Sequence, residues 1–129
     1  MSTADSSMST SMFAGALLGI IEAAGLAVMT LAEGVERDEL LASRLTRAEI
    51  LRQLHALAEN AARMPGPTRD AMPEIDWHGW ETLAPQLATS RGPEVNDLLW
   101  FAVQSLVPAT LLWLRVYRRS QAELFRMQM

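Results

Sequence analysis

Residues 12–32 read MFAGALLGIIEAAGLAVMTLA, a long apolar stretch with no strand-type alternation. Its bulky apolar residues recur at helical spacing and share one side, namely Phe13, Leu17, Ile20, Ile21, Ala24, Val28 and Leu31. Three glycines and Glu22, the single charged residue, fall on another side. A membrane-spanning helix needs no such division, and a charge at its centre costs roughly 2.5–3.5 kcal/mol. The stretch therefore predicts a helix buried in a soluble domain, with a membrane-spanning helix as the disfavoured alternative.

The chain beyond this stretch continues in helical segments separated by turn residues. Residues 36–42 have the composition of a short polar helix. Thr46 and Glu49 have the spacing of a capping box, in which the side chain of each residue bonds the backbone amide of the other. They are predicted to begin a helix that ends near Met64. Residues 65–76 begin with two prolines and a glycine and predict a loop, in which a single helical turn near Arg69 to Ala71 is the alternative to irregular structure.

Two more helices are predicted in the second half of the chain. One begins near Trp77 and is disturbed at Pro85, which has no amide hydrogen to donate within the helix. The last opens with Asn96 or Asp97 as its cap, and we expect a kink at Pro108.

The whole pattern predicts an all-α protein, a bundle of four to five helices. The length of 129 residues fits one domain, which we place at residues 12–129. Residues 1–11 are rich in Ser, Thr and Met and predict a flexible tail or the frayed start of the first helix.

Composition excludes several classes of functional site. The chain has no cysteine, which excludes disulfides and thiolate metal centres, and its two histidines do not suggest a histidine metal site. All eleven basic residues are Arg, so a lysine Schiff base is excluded as well. The net charge of −4 provides no general attraction for nucleic acid. We therefore expect no metal, no organic cofactor and no nucleic-acid partner.

Several short motifs follow one another from Ser43 to Pro108: Ser43-Arg44-Leu45-Thr46, Glu59-Asn60-Ala61-Ala62-Arg63 and Pro73-Glu74-Ile75-Asp76-Trp77, then Trp100, Val103 and Pro108. Through these residues the chain resembles the HepT-like branch of the HEPN ribonuclease toxins. The resemblance implies a cytoplasmic four-helix protein that dimerises, with an RNA-cleaving cleft at the dimer interface.

The catalytic residues that the resemblance implies are absent. The family uses an Arg, a His and a Tyr at positions that here hold Ala84, Thr89 and Arg91. Metal-free RNA cleavage needs a group that moves the proton of the 2′-hydroxyl and a cation that binds the phosphate. Neither Ala84 nor Thr89 supplies these functions, so an RNA-cleaving toxin is the disfavoured hypothesis.

The leading hypothesis is a nuclease-inactive HepT-like dimer that binds a hydrophobic small molecule or a protein partner. The ligand would lie in the former cleft, lined by Trp77, Trp80, Ala84, Thr89, Arg91 and Trp100. The first and last helices are apolar around most of their circumference, more than one small bundle can cover. We therefore expect a homo-oligomer, a dimer or larger.

The alternative hypothesis is an enzyme without cofactor that performs isomerisation, cyclisation or elimination on a largely apolar molecule. Its acid and base candidates are Glu22, Asp76 and His78. Each also has a structural explanation: an ion pair with an Arg for Glu22, a helix cap for Asp76, and a solvated surface position for His78.

Overall fold

The computed structural model describes the backbone of residues 3–126 and the side chains of residues 10–126. Its helices are α1 (Thr3–Ala32), α2 (Arg37–Ala42), α3 (Arg44–Ala62), α4 (Gly66–Ala71), α5 (Trp77–Thr89), α6 (Pro93–Phe101) and α7 (Val107–Ser120). A π-helical segment (Ala102–Leu106) joins α6 to α7, and a short 3-10 helix (Ala122–Phe125) follows α7. Residues 3–126 contain no β-strand, which confirms the all-α prediction.

The core lies where α1, α3 and α5 pack side by side, with α7 against the other flank of α1. Leu18 and Val28 of α1, Leu54 of α3 and Trp80 of α5 are completely buried there. Full burial of one large aliphatic side chain contributes about 1.5–3 kcal/mol to stability.

Helix α1 has a longer start than residue 12, and two of the side chains predicted to be buried on it are exposed. It begins at Thr3, so residues 3–11 follow the expectation of a helix start, while residues 1 and 2 lie outside the described residues. Leu17 and Val28 are buried as predicted. Phe13 and Ile20, expected on the buried side, are 41% and 46% exposed, because the packing of α3 and α7 covers only one arc of the helix.

The capping box predicted at Thr46 and Glu49 is wrong. Helix α3 already begins before Thr46, and Glu49 instead accepts hydrogen bonds from Arg52, whose guanidinium lowers the pKa of the Glu49 carboxyl. A capping box is present one helix earlier, where Glu36 and Glu39 bond each other's backbone amides at the start of α2. Glu is an unusual first member of this motif, so the sequence pattern favours Thr46 over Glu36.

The predicted cap of the last helix is also wrong. Helix α6 begins at Pro93, and Gly92 precedes it with a φ of 61°, a conformation that glycine adopts without strain. Asn96 accepts a hydrogen bond from Arg47, and Asp97 accepts one from Arg37 at 2.6 Å. These side chains therefore join α6 to the N-terminal ends of α2 and α3.

The two prolines inside predicted helices have different effects. Helix α5 continues through Pro85 without a break. Ahead of Pro108, the amide of Val107 donates to the carbonyl of Ala102, five residues back, and this wider turn belongs to the π-helical segment. Because proline lacks an amide hydrogen and its ring crowds the carbonyl four residues back, a locally wider helix accommodates it. A π-helical turn therefore lies where the sequence predicted a kink.

A buried hydrogen bond joins α5 to α7 beside this segment. The Trp80 indole Nε1 donates to Thr110 Oγ1 at 3.0 Å, and Thr110 Oγ1 donates to the carbonyl of Leu106 at 2.8 Å. We expect Thr110→Val to lower the free energy of unfolding by about 1–3 kcal/mol, because the buried indole N–H loses its acceptor. Urea unfolding followed by circular dichroism measures this change.

The matched control for this substitution is Thr82→Val. Thr82 is exposed and its hydroxyl donates only to the His78 carbonyl of its own helix. We expect a change within about 0.5 kcal/mol for the control. Equal losses in both variants would contradict the role of the Trp80–Thr110 bond.

Candidate functional site

Glu22, the first acid–base candidate, is engaged in an ion pair. Arg118 Nη2 of α7 lies 2.6 Å from Glu22 Oε1, and the Glu22 side chain is 27% exposed. The Arg118 guanidinium also stacks over the ring of Phe125, 4.5 Å from its centroid. Glu22 is therefore paired with an Arg, as its structural explanation predicted.

Asp76 and His78 lie at the exposed N-terminus of α5. Asp76 caps this helix, since its Oδ1 accepts a hydrogen bond of 2.8 Å from the amide of Gly79. A Cβ atom on residue 79 would collide with the Asp76 carboxylate, so glycine there allows the cap. His78 is exposed to solvent. Glu22 is hydrogen-bonded to Arg118 of α7, whereas Asp76 directly precedes α5 and His78 lies in its first turn.

The tryptophans predicted to line a cleft differ in their environment. Trp77 is buried, and its indole Nε1 donates to the Met72 carbonyl at 3.0 Å. Trp80 is completely buried and bonded to Thr110. Trp100 is half-buried and packs against the core. Trp77 and Trp80 therefore form part of the hydrophobic core, and a ligand could contact them only if the core opened.

The three positions that replace the family's catalytic residues make local contacts. Ala84 is half-buried against the core. The Thr89 hydroxyl donates to the Pro85 carbonyl of its own helix at 2.9 Å. The exposed Arg91 donates to the Ala88 and Ser90 carbonyls at the end of α5, where a cation also complements the helix dipole.

Two of the surface depressions are formed by described residues alone. The larger, of about 330 Å³, lies between α5 and α6 and is lined by Gln86, Ser90, Glu94, Asp97, Leu98 and Phe101. The smaller, of about 200 Å³, lies near the start of α1 and is lined by Ser11, Ala14, Thr68, Glu123 and Leu124. Neither is lined by a residue named as a site candidate from the sequence. Among the described residues, no three His, Asp or Glu side chains come together as a metal site.

The side of α1 that faces away from α3 and α7 is an extended surface without charge. We call it the α1 outer face, and it consists of Met12, Ala16, Gly19, Ile20, Ala23, Leu26, Ala27 and Thr30. None of these residues is charged. Leu26 is 54% exposed, and Ala23 in the middle of the face is exposed too. The four-residue spacing of Gly19, Ala23 and Ala27 was the sequence signal for this face.

Helix α7 packs beside α1 and exposes apolar side chains of its own. Gly25 packs on the Leu111 side chain and Glu22 binds Arg118, so α1 and α7 run antiparallel and Leu111 lies level with residue 25 of α1. Leu112 and Val116 are 51% and 41% exposed. The α1 outer face together with Ala109, Leu112 and Val116 is termed the α1–α7 face.

Among the described residues, two segments are long and apolar enough to cross a membrane by length and composition alone, Thr10–Ala32 and Pro93–Ser120. In the most apolar 18 residues of each segment, 44% of the first and 39% of the second are buried inside the molecule. Core helices of soluble proteins pass the same test, so these segments are weak evidence for a membrane location.

No protein-family model, no curated protein and no solved structure matches this chain. Its function is therefore inferred from its own residues.

The Glu22–Arg118 contact gives a measurable prediction. We expect Glu22→Gln to lower the free energy of unfolding by less than about 1 kcal/mol, because the pair is partly exposed. Arg118→Gln should cost more, since it also removes the stacking on Phe125. A double-mutant cycle should give a coupling energy of about 0.2–1 kcal/mol.

Arg115→Gln is the control for this cycle, because Arg115 is exposed on the same helix and makes neither contact. Its combination with Glu22→Gln should be additive. Additivity of Glu22→Gln and Arg118→Gln would contradict the ion pair.

Proposed function

We propose that this chain is a non-catalytic binding module that recognises an apolar partner through the α1–α7 face. From Met12 to Thr30 the face is about 27 Å long, at 1.5 Å per helical residue. It exposes Ile20, Leu26 and Leu112 by about half each. A soluble monomer seldom exposes an apolar patch of more than a few hundred Å², and larger patches mark interaction sites. This exposed apolar face, uncharged on α1 and accompanied by the exposed Arg115 and Arg119 on α7, is the observation on which the proposal depends.

An open surface favours a protein partner over a small molecule. Small ligands bind in clefts that enclose most of their surface, and the α1–α7 face is the outside of two helices. The depression between α5 and α6 contains Glu94 and Asp97 beside Phe101, a mixture less suited to a purely hydrophobic ligand. We therefore place the interaction at the helices and not in the former cleft.

The enzyme alternative has less support from the residues proposed for it. Glu22 is neutralised by Arg118, Asp76 is used as a helix cap, and His78 stands in solvent. General acid–base catalysis needs such groups within hydrogen-bond reach of a bound substrate. Neither depression in the described residues brings one of them to a substrate.

The resemblance to HepT-like proteins gives this proposal its second part, a nuclease-inactive protein of the cytoplasm. It is supported by the contacts of Thr89 and Arg91, whose polar groups bond the carbonyls of their own helix end. Ala84 carries no polar group at all. The three positions thus provide one exposed cation and no group that takes up a proton near neutral pH.

Total RNA incubated with the purified protein should remain intact. Tight RNA binding at physiological salt is not expected either, because the net charge is −4. Gel electrophoresis of the RNA and filter binding measure the two effects. Cleavage by the wild-type protein that disappears in Arg91→Ala would overturn the nuclease-inactive assignment.

The binding face is tested by site-specific photo-crosslinking in cells. A benzoyl-phenylalanine side chain in place of Leu26 should form covalent protein adducts, because this position is exposed on the face. The same group in place of Leu45, which is 86% exposed near the start of α3, is the matched control. Equal adduct yields at both positions, or none at Leu26, would contradict the proposal.

A further inference from the structure

We propose that the partner on the α1–α7 face is an acidic amphipathic helix of another protein, whose carboxylates bind Arg115 and Arg119. This inference rests on the proposed binding function. It adds the chemistry of the partner and the two residues of this chain that select it.

Arg115 and Arg119 lie on the side of α7 that borders α1. Leu111 and Arg118 both contact α1, the first by packing and the second through an ion pair. Arg115 is four residues after Leu111 and three before Arg118, and residues at these spacings are neighbours on one side of a helix. Arg119 is four residues after Arg115 and continues the row. The two arginines therefore follow the seam between α1 and α7.

Neither of these two arginines is paired with a carboxylate. Both side chains are exposed, and among the residues that the structure describes neither guanidinium makes a hydrogen bond or an ion pair. Arg118 differs from them, because Glu22 lies 2.6 Å away and offsets its charge. The α1 outer face has no charged residue. The α1–α7 face therefore carries a surplus of positive charge.

Exposed apolar side chains stand on both sides of this charge. On α7, Leu112 and Val116 are about half exposed and lie one position beyond the row that borders α1, about 100° further round the helix. On α1, Leu26 is also half exposed, and it is one helical turn after Glu22, which faces α7. A partner must therefore supply an apolar surface and negative charges close to each other.

The spacing of the two arginines fits carboxylates on a helix. Residues four apart on α7 differ by about 6 Å along the helix axis. Two Asp or Glu residues three or four apart on a partner helix have a similar spacing, so each can meet one guanidinium. Carboxylates also match the planar donor geometry of Arg and form charge-assisted hydrogen bonds with it. An acidic pair along the apolar stripe of a helix therefore complements this surface.

The same two charges disfavour other occupants of the face. In a symmetric pair, a second copy would bring Arg115 and Arg119 and no unpaired carboxylate on its own face, so like charges would meet. A bilayer would have to receive two cations that stand between exposed apolar side chains, and cations at the depth of the acyl chains are costly. A partner helix instead places its carboxylates directly at the two arginines.

Peptide binding tests the requirement for negative charge. Three synthetic peptides of about 18 residues share one stripe of Leu and Ala and differ at two positions four residues apart, which hold Glu, Gln or Lys. We expect the Glu peptide to bind the wild-type protein about ten-fold more tightly than the Gln peptide, and the Lys peptide to bind least. Fluorescence anisotropy measures the affinities. Equal affinity for the Glu and Gln peptides, or no binding of any peptide, would overturn the proposal.

Removal of the two charges tests the residues. The double variant Arg115→Gln, Arg119→Gln should lose the ten-fold preference and keep its helical circular dichroism, since neither side chain is paired in the fold. The control is Arg44→Gln, Arg91→Gln, which has the same net charge and changes two exposed arginines outside the face. The control should keep the preference. A preference that survives in the first variant, or is lost equally in both, would overturn the assignment.

Crosslinking at Leu26 separates this inference from the proposed function. Adducts with other proteins that decline in Arg115→Gln, Arg119→Gln and not in the control support both. Adducts that do not depend on the two arginines, or that have the mass of two chains, overturn the acidic partner and leave the binding function in place. The absence of adducts contradicts both.

Vesicle flotation tests lipid as the source of the negative charge. We expect no flotation of the wild-type protein with phosphatidylserine vesicles. Flotation that is lost in Arg115→Gln, Arg119→Gln and kept in the control would assign the two arginines to lipid headgroups and overturn the partner helix.

Discussion

The structure depends on the way α1 is held between α3 and α7. Close approach is possible because glycines face its neighbours: Gly25 lies against the side chain of Leu111, and Gly15 lies against the backbone of residues 125 and 126. The Glu22–Arg118 ion pair then fixes α7 along the same side. Two neighbours cover only part of a helix's circumference, so the remaining side of an almost entirely apolar helix faces outward. The α1–α7 face is a direct result of this packing.

Much of the fold follows from local sequence patterns. The apolar stretch at residues 12–32 and the Asp76 cap before Trp77 identify two helices correctly, because periodicity and capping are local effects. Periodicity and capping do not predict contacts between residues that are far apart in the sequence. Asn96 and Asp97 resemble helix caps in sequence, yet they bind arginines about 50 and 60 positions away. Periodicity likewise shows which residues share a side of α1 but not which neighbours cover it.

The candidate site was less accessible to prediction than the fold. The structural explanations for Glu22 and Asp76 match their contacts, since an isolated carboxylate in an apolar helix needs a cation and an Asp before a helix commonly caps it. Whether a tryptophan fills the core or lines a cleft depends on packing that no local pattern encodes. The excess of apolar surface on the first and last helices was predicted, but the residues that form the α1–α7 face were not, because ordinary apolar and small residues become informative only when their exposure is known.

Whether lipid or a protein binds this face depends on the shape of the face as much as on its polarity. Lipid tails adapt to any apolar outline, so a bilayer places no demand on where small and large side chains stand. Another helix has ridges and grooves of fixed spacing, and it packs best against a surface with a matching relief. The stripe of Gly19, Ala23 and Ala27 between Ile20 and Leu26 has such a relief. A surface with this relief therefore suits a helix better than lipid tails.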